Sequence, residues 1–584
     1  MYSPADLEFP AKLFEMEFDP RLPYATRVNS REAYPGVVRP LDLTAVQVPN
    51  DHGIRRQLRD LGIRTIDPPG LLTTRVHQGR LYTNLSWVLW MADMLPGASA
   101  ADFESQLFGE HIPFRITRPQ VTRSDRTRAR LYAPRFYAAC AASLAVCGPR
   151  LHRHLELRAA MNLQGKSTAA LDALIEPYQR ELMVACDWNT RATIFGLIMI
   201  SMLSRFTGPE RAKHIIEILS DLGDIESAAP ARRIREIAQA AKSRTPDLGE
   251  ALAVSERRWD TLKRLDMEAH DSLRAVVDRY GYRSVAEFLI SAPSWSEDPT
   301  PVIDAFAGLM KSGAAEKNSA RPGRNAARAA LLAGLGPVQR TAVSMLIRGA
   351  HAGARARERA KACLIIRVDM LRRLFREVGR ALAAQSRIDA PADVYLLSLD
   401  EVRKTLRGDA SADLRTVCRD RGLQIARLEA MPEPELICGT EAVSIDELAA
   451  DADRLVFKAM GVSGNAVEGR ARVVLGTDDL DAFEAGEILV APHTDAGWTP
   501  YFALAGGVIV ETGGLLTHTS TVARELGLPA IVNVRNCTSM IRTGDQLRLD
   551  PRTGQVTVLA RATPAPLNAV APTPLTAQSS WETP

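Results

Sequence analysis

The sequence predicts a mixed fold, a large and mostly α-helical domain followed by a compact α/β domain. Three observations carry this. From about 85 to 425, leucine, alanine, arginine and glutamate dominate, and apolar residues recur three and four apart, as in Val368, Leu371, Leu374, Phe375, Val378 and Leu382; that is the spacing of one helix face. From 456 to 560 the pattern changes to short apolar runs at 471–476, 487–491, 507–510 and 529–533. Alternating runs follow at 546–550 and 555–559 around a turn at 551–554, and helix-like runs near 478–485, 498–505 and 518–527 lie between; these are strand, turn and helix signals. Finally, 584 residues are too many for one core, and three or four domains are expected.

The elements fall in order along the chain. Residues 1–90 are a proline-rich N-terminal segment (Pro20, Pro23, Pro35, Pro40) expected to lie against the helical domain. Its first 50 residues are expected to be extended or turn-like, because proline lacks an N–H and restricts its neighbour. The stretch Gly79 to Asn84 reads as a structured loop bracing a core, or as a short strand or the start of a helix. Residues 91–427 form the helical domain, and the absence of a fixed-period repeat there argues against a solenoid. Residues 428–455, opening with Met431 to Pro434, read as a linker and hinge, with a short helix from Ile445. Residues 456–560 form the α/β domain, and the Pro/Thr/Ala-rich tail 561–584 is expected to be disordered.

Composition narrows the function. The chain is 46% hydrophobic and 24% charged, ordinary for a soluble globular protein. A net charge of +4 is a small footprint for a dedicated nucleic-acid binder, so no nucleic-acid partner is expected. Seven scattered cysteines without CxxC spacing suggest neither a disulfide framework nor a metal site, but reduced thiols in the cytoplasm. The amino terminus lacks a signal-peptide pattern. The most apolar run, Ala192 to Leu203, is well short of the roughly 20 residues of a spanning helix and reads as a buried helix, so no membrane is expected.

One stretch stands out, Glu511 to Pro529 (ETGGLLTHTSTVARELGLP). Gly513 and Gly514 allow a sharp turn and close approach of a bulky anion. His518 follows where a helix begins, with Val522 and Leu526 four apart beneath it. Free N–H groups and the positive end of a helix dipole favour a dianion there. Thr517, Thr519 and Ser520 offer hydroxyls, and Arg524 adds charge a turn and a half on. A neutral imidazole in such a place can attack phosphorus and hold the product as a phosphoramidate. By spacing alone, a histidine after a Gly-Gly turn is more often a cap or a packing residue.

The run from Gly513 through Ala530 resembles the phosphohistidine signature of the swivelling domain in PEP-utilising enzymes: Gly513-Gly514, His518, Ala523-Arg524-Glu525 and Gly527 with Pro529, in that order. Asp495 to Pro500 (DAGWTP) resembles the approach to that domain. Upstream, the chain is most similar to the rifampin phosphotransferase branch. The shared blocks are Glu32, Pro35-Gly36 and Pro40-Leu41; Gly79 to Asn84; Leu95 to Gly97; Arg357-Glu358 with Lys361; and Asp393 to Glu401.

The resemblance implies that His518 carries a phosphoryl group supported by Glu511, Gly513, Gly514, Thr517, Thr519, Ser520 and Arg524. It also implies that 91–427 is an acceptor-binding domain whose Arg357 and Lys361, one helical turn apart, meet the moving phosphoryl group. Glu358 orients the arginine or serves as a base. The alternative for this face is a solvated basic helix, since Arg355, Arg359 and Arg367 are close by.

Two departures qualify the resemblance. Tyr282 stands where related enzymes carry a histidine, in Tyr280 to Glu287 (YGYRSVAE). His493 reads as a structural loop residue. The family-like opening begins near residue 22, which leaves no ATP-grasp module, and no GxxxxGK[ST] loop is present. The expectation is therefore a split enzyme, similar to the histidine subunit of phenylphosphate synthase. No cofactor is bound apart from phosphate on His518; Mg-ATP sits on an ATP-grasp partner, a small hydroxyl or enol compound accepts the phosphate, and AMP and inorganic phosphate are by-products. The alternative is a non-catalytic binding or regulatory protein that retains the fold.

Overall fold

The computed structural model describes residues 13–28, 30–62, 71–94, 100–101, 104, 116–208, 211–220, 222–223, 225–311, 324–409, 411–443, 455–514 and 517–562. The expectations for Leu95 to Gly97, for a helix from Ile445 and for the tail beyond 562 lie outside these residues.

The N-terminal segment is more helical than its prolines suggest. After strand β1 (Tyr24–Thr26), helical turns run over Ser30–Ala33, Pro40–Asp42 and Leu43–Gln47 into helix α1 (Val48–Asp60). Pro40 and Pro49 each stand in the first turn of a helical segment, where the missing N–H is not needed and the preset φ fits. The expectation of an extended or turn-like chain over residues 1–50 is thus corrected for residues 30–33 and 40–50. Strands β2 (Thr74–His77) and β3 (Arg80–Asn84) follow, and α2 (Leu85–Met94) continues directly from β3.

Part of the expected linker belongs to this sheet. Strands β4 (Leu436–Cys438) and β5 (Glu441–Ala442) complete a five-stranded sheet in the order β2-β3-β1-β4-β5. Tyr24 is opposite Cys438, and Thr26 opposite Leu436. The buried Arg27 is ion-paired with Glu433. Pairing of strands more than 400 residues apart in sequence ties residues 433–442 to the N-terminal segment.

Three long helices form the scaffold: α3 (Arg123–Ala159), α4 (Thr168–Thr207) and, further on, α9 (Pro337–Ala384). The first two begin with hydroxyl caps, Thr122 accepting from the Asp125 N–H and Ser167 from the Ala170 N–H. Helices α4 and α9 approach closely: a Cβ on Gly353 would lie 2.8 Å from the Gly196 Cα. The apolar run 192–203 lies within α4, and no helix of the described residues is long and apolar enough to cross a membrane. Between α4 and α9 come α5 (Ala229–Arg244), α6 (Met267–Tyr280), α7 (Thr300–Lys311) and α8 (Arg324–Leu332); α10 (Leu414–Glu429) follows. All seven cysteines are free thiols, six of them buried.

The α/β domain is built on an eight-stranded sheet in the order β6-β13-β12-β8-β9-β10-β11-β7. Its strands are β6 (Val456–Lys458), β7 (Met460–Ser463), β8 (Val467–Val473), β9 (Ile488–Ala491), β10 (Gly507–Val510), β11 (Ala530–Val532), β12 (Gln546–Asp550) and β13 (Gln555–Ala560). The central four, β8-β9-β10-β11, are parallel, and the outer pairings are antiparallel. The parallel strands are buried throughout β9, β10 and β11, as strands covered on both faces must be. Helix α11 (Thr499–Phe502) precedes β10, and α12 (His518–Leu526) crosses from β10 to β11. His518 therefore lies beyond the carboxyl end of a central parallel strand, the usual ligand position of such sheets.

One apolar cluster joins the two domains. Trp295, Phe306 and Met310 of the helical side pack with Trp498, Tyr501 and Phe502 of the α/β side. Burying a side chain such as Phe502 contributes about 1.5–3 kcal/mol. Polar ties flank the cluster. Arg235 donates to the carbonyls of Phe502 and Ala503 at 3.1 and 3.0 Å, and Glu525 accepts from the N–H groups of Leu222 and Gly223 at 2.8 and 3.0 Å. Gly497 is needed at this boundary, since a Cβ there would lie 2.3 Å from the Val285 Cα.

The helical domain has a polar centre. Asp369, wholly buried, takes Arg158 at 2.7 Å, Arg372 at 2.8 Å and Arg373 at 3.3 Å. Burial pushes its carboxyl up, but the three guanidinium groups outweigh this and hold it below the ordinary value. Asp369→Ala would leave Arg158 and Arg372 buried without their shared carboxylate. It is expected to cost about 3–5 kcal/mol, read as a lower urea midpoint at pH 7. Because the folded-state value is depressed, this contribution is present above the unfolded value of about 4 and is lost as pH falls through the folded one. The variant should lack that part of the acid-side slope.

Candidate active site

His518 is the first residue of α12, and it is buried. Thr517, at the N-cap position, has extended backbone angles and makes no side-chain cap. The backbone N–H of His518 instead donates to the carboxylate of Glu32, 486 residues upstream, at 3.0 Å. A carboxylate from the N-terminal segment thus takes the place of a capping side chain at the helix start. The His518 Nε2 lies 3.1 Å from the Thr499 hydroxyl, and the ring stands edge-on to Phe502 with centroids 6.2 Å apart.

The residues around the glycine pair form a support for the turn. The hydroxyls of Thr517 and Ser520 donate to the Gly514 carbonyl at 3.0 and 2.7 Å, and Thr519 pairs with Thr494 at 2.7 Å. None of these three is placed as a free hydroxyl beside the imidazole; the hydroxyl there is that of Thr499. Gly513, at φ +157°, sits where a Cβ would be 3.0 Å from the Val532 Cβ. Glu511 accepts from the Thr538 N–H at 3.0 Å and from its hydroxyl, bracing a neighbouring turn.

The helical domain presents a dense set of charges to His518. Lys361 lies 3.2 Å from Glu287, which also receives Arg283 at 2.7 Å. Arg357 is 3.6 Å from Glu358, and both stand one turn before Lys361 on α9. Glu358 and Arg357 both act on Arg524 of α12: burial and Arg357 push its guanidinium down to about 10, against the pull of Glu525 and Glu358. The Nε and Nη1 of Arg524 are buried with no hydrogen-bond partner. A buried guanidinium left with two donors is ready for an anion. The structure therefore brings His518, Arg524, Arg357, Glu358 and Lys361 to one boundary, while Glu511 faces elsewhere.

The charges set protonation states. Burial drives the His518 imidazole well below its ordinary value, and Lys361, Arg283 and Arg357 add to this; the ring is neutral at pH 7. Burial raises the Glu32 carboxyl, with Lys361 and the His518 N–H opposing. Asp495 lies well above the ordinary range because of burial and then Glu287, and it accepts from the Gly497 N–H at 2.8 Å. Glu287 stays low, since Lys361 and Arg283 outweigh its burial. Lys361 is held above its ordinary value by Glu287, Glu32 and Glu358 against burial.

Sequence reasoning assigned no role to Glu32, Thr499, Glu287 or Asp495. All four stood inside the blocks that carried the resemblance, which was the available signal. Tyr282 is buried among Leu151, Cys363 and Ile366, with its hydroxyl 3.4 Å from Glu226. His493 lies near Arg27 and Arg31, and burial followed by these charges lowers it to about 4. Among the described residues no group of three or more His, Cys, Asp or Glu side chains is arranged to hold a metal ion.

A neutral, buried His518 has a direct test. In protein carrying ¹³C-labelled histidine, the His518 signal, assigned by its loss in His518→Asn, should not move between pH 8 and pH 6. The sign follows from linkage: with the folded value below the unfolded one of about 6.5, the native state binds fewer protons in that window, so this group's contribution to stability falls as pH falls.

Comparison with known proteins agrees with the geometry. A model described as the rifampicin phosphotransferase fourth domain matches residues 187–358, and one described as the PEP-utilising enzyme mobile domain matches residues 483–554. An uncharacterised protein of Mycobacterium tuberculosis is 27% identical over 94% of this chain and 63% of its own length. A rifampicin phosphotransferase of Streptomyces sviceus is 32% identical over 50% of this chain and 35% of its own. A prodigiosin-synthesizing transferase of Serratia marcescens is 30% identical over 49% of this chain and 33% of its own. The chain thus spans less than two thirds of the length of each of these relatives. The mobile-domain match is centred on the His518 helix and the fourth-domain match ends on Arg357 and Glu358, so over these two stretches the chain is similar to PEP-utilising enzymes.

Proposed function

We propose that this chain is the histidine-bearing part of a split, dikinase-type phosphotransferase. In this reading an ATP-grasp partner charges His518, and the helical domain holds a small hydroxyl or enol compound that receives the phosphate. The observation that carries the reading is the neutral His518 imidazole facing Lys361 and Arg357 across the domain boundary, with Arg524 on its own helix. A neutral ring nitrogen is the nucleophile this chemistry needs, and fixed cations match the charge of a phosphoryl group in transit.

Two displacements follow. In the first, an imidazole nitrogen attacks the β-phosphorus of ATP on the partner; an N–P bond forms and the bond from that phosphorus to the AMP oxygen breaks, with the γ-phosphate later released to water. In the second, the acceptor oxygen attacks the phosphorus on His518. The N–P bond breaks, its electron pair returns to the ring, and the hydroxyl proton passes to a carboxylate. Glu32, raised by burial and placed at the His518 N–H, suits that role and removes the need for a histidine at position 282. Lys361 and Arg357 steady the phosphoryl oxygens during the second step.

The carrier domain leaves the acceptor face to reach the partner. That movement exposes the Trp498, Tyr501 and Phe502 cluster and releases Glu525 from residues 222 and 223, so contacts with the partner have to replace them. Part of residues 443–455, after the strand at Glu441–Ala442, is the connector in this reading.

The test uses ATP labelled at the β-phosphate and an ATP-grasp protein that lacks its own swivelling domain. Acid-labile label is expected on the chain and absent from His518→Ala. No label with any such partner, or equal label on the variant, contradicts the reading. Lys361→Ala is expected to take label normally and to slow delivery to the acceptor by roughly 100-fold or more, the scale of losing one electrostatic group at a transition state. Loss of labelling would place Lys361 on the donor side instead.

A further inference from the structure

The cleft between α8 and α9 is separate from the His518 site and has an unusual lining. It encloses about 650 Å³, within the range of small-molecule sites of about 300–1,000 Å³. Arg324 and Arg328 face it from α8, four residues apart; Arg340, Arg348 and Arg355 face it from α9. The steps of eight and seven residues on α9 keep those three on one side of the helix. Thr341 and Ser344 add hydroxyls, and among the described residues no carboxylate lines the cleft. Among the described residues no acidic side chain pairs with Arg328, Arg340 or Arg348.

The concentration of cations is felt by a neighbour. His351 gives its Nε2 to the Ile218 carbonyl at 2.8 Å. Burial lowers its pKa first, and the charges of Arg355, Arg324 and Arg328 lower it further. Guanidinium groups converging from two helices, with Arg328, Arg340 and Arg348 paired to no acidic side chain among the described residues, raise a strong positive potential in a concave site. Their planar donors match phosphate oxygens in pairs. Among the described residues no aromatic ring lines the cleft, so the lining named here recognises phosphate and offers no stacking platform for a base.

We propose that this cleft binds an oligophosphate, a chain of three or more phosphates, free or carried by a nucleotide. Five arginines and two hydroxyls spread over two helices suit an extended polyanion better than a single phosphate. The cleft is also linked to the carrier. Arg355 donates to the Leu222 carbonyl at 2.9 Å, and the Leu222 N–H is held by Glu525 of α12 at 2.8 Å. A ligand drawing on Arg355 acts on the segment that docks the His518 helix.

The test is calorimetric titration of the full chain with sodium tripolyphosphate, without magnesium. One saturable site is expected. Arg328→Ala with Arg348→Ala should weaken it by roughly tenfold or more, as expected for losing two charge-assisted contacts. The paired control Arg126→Ala with Arg130→Ala, on the exposed start of α3, should leave the affinity unchanged, as should His518→Ala. Displacement of tripolyphosphate by ATP assigns the site to nucleotides as well, and lack of displacement assigns it to free oligophosphate. No saturable binding, equal weakening in the α3 control, or binding of a single-stranded oligonucleotide in place of tripolyphosphate overturns the proposal.

Discussion

The hydrogen bond from the His518 N–H to the Glu32 carboxylate is the contact on which the site depends. It joins residues 486 positions apart, and it does so at the one helix start where free N–H groups and the dipole favour negative charge. Around it the helical domain sets Lys361, Arg283 and Arg357 against Glu32, Glu287 and Glu358. Burial and the three cations all oppose protonation of the imidazole. Burial of so many charges is costly unless each is paired. The pairings seen here account for most of them, and Arg524 is the exception.

Docking of the carrier has two physical components. The apolar cluster around Trp498 and Phe502 gives area, and the ties from Arg235 and Glu525 give register. The absence of a side chain at Gly497 lets the turn at Ala496–Trp498 rest on the backbone at Val285. That contact places the block around Tyr282, with Arg283 and Glu287, close to His518. In the proposed reading this is the delivering state of the cycle. That state has to be left in the proposed cycle, and interdomain surfaces commonly permit such motion.

Much of this was legible in the sequence, for identifiable reasons. The parallel strands of the α/β domain announced themselves as short apolar runs, because both of their faces are covered. His518 and its helix were legible from the glycine pair and the apolar spacing after it. The helical segments over residues 40–60 were hidden by prolines that stand in first turns, where they do no harm. The strands at Leu436–Cys438 and Glu441–Ala442 were read as linker because their partners lie at the other end of the chain. The hydroxyl beside the ring was sought next to His518 in sequence, but Thr517, Thr519 and Ser520 turn inward and Thr499 comes from the preceding helix. Sequence proximity to a histidine is a poor guide to what touches its ring.

The central claim is that His518 serves two places, meeting the acceptor face when docked and a donor when released. Spin labels at the exposed positions Arg233 and Arg548, one on each domain, measure the separation by pulsed electron resonance. The chain alone should give one narrow distance. Charging with ATP and an ATP-grasp partner should add a second, longer one that disappears in Glu525-intact, His518-intact protein once the partner is removed and the phosphate is delivered. A single unchanged distance while His518 carries label would contradict the account.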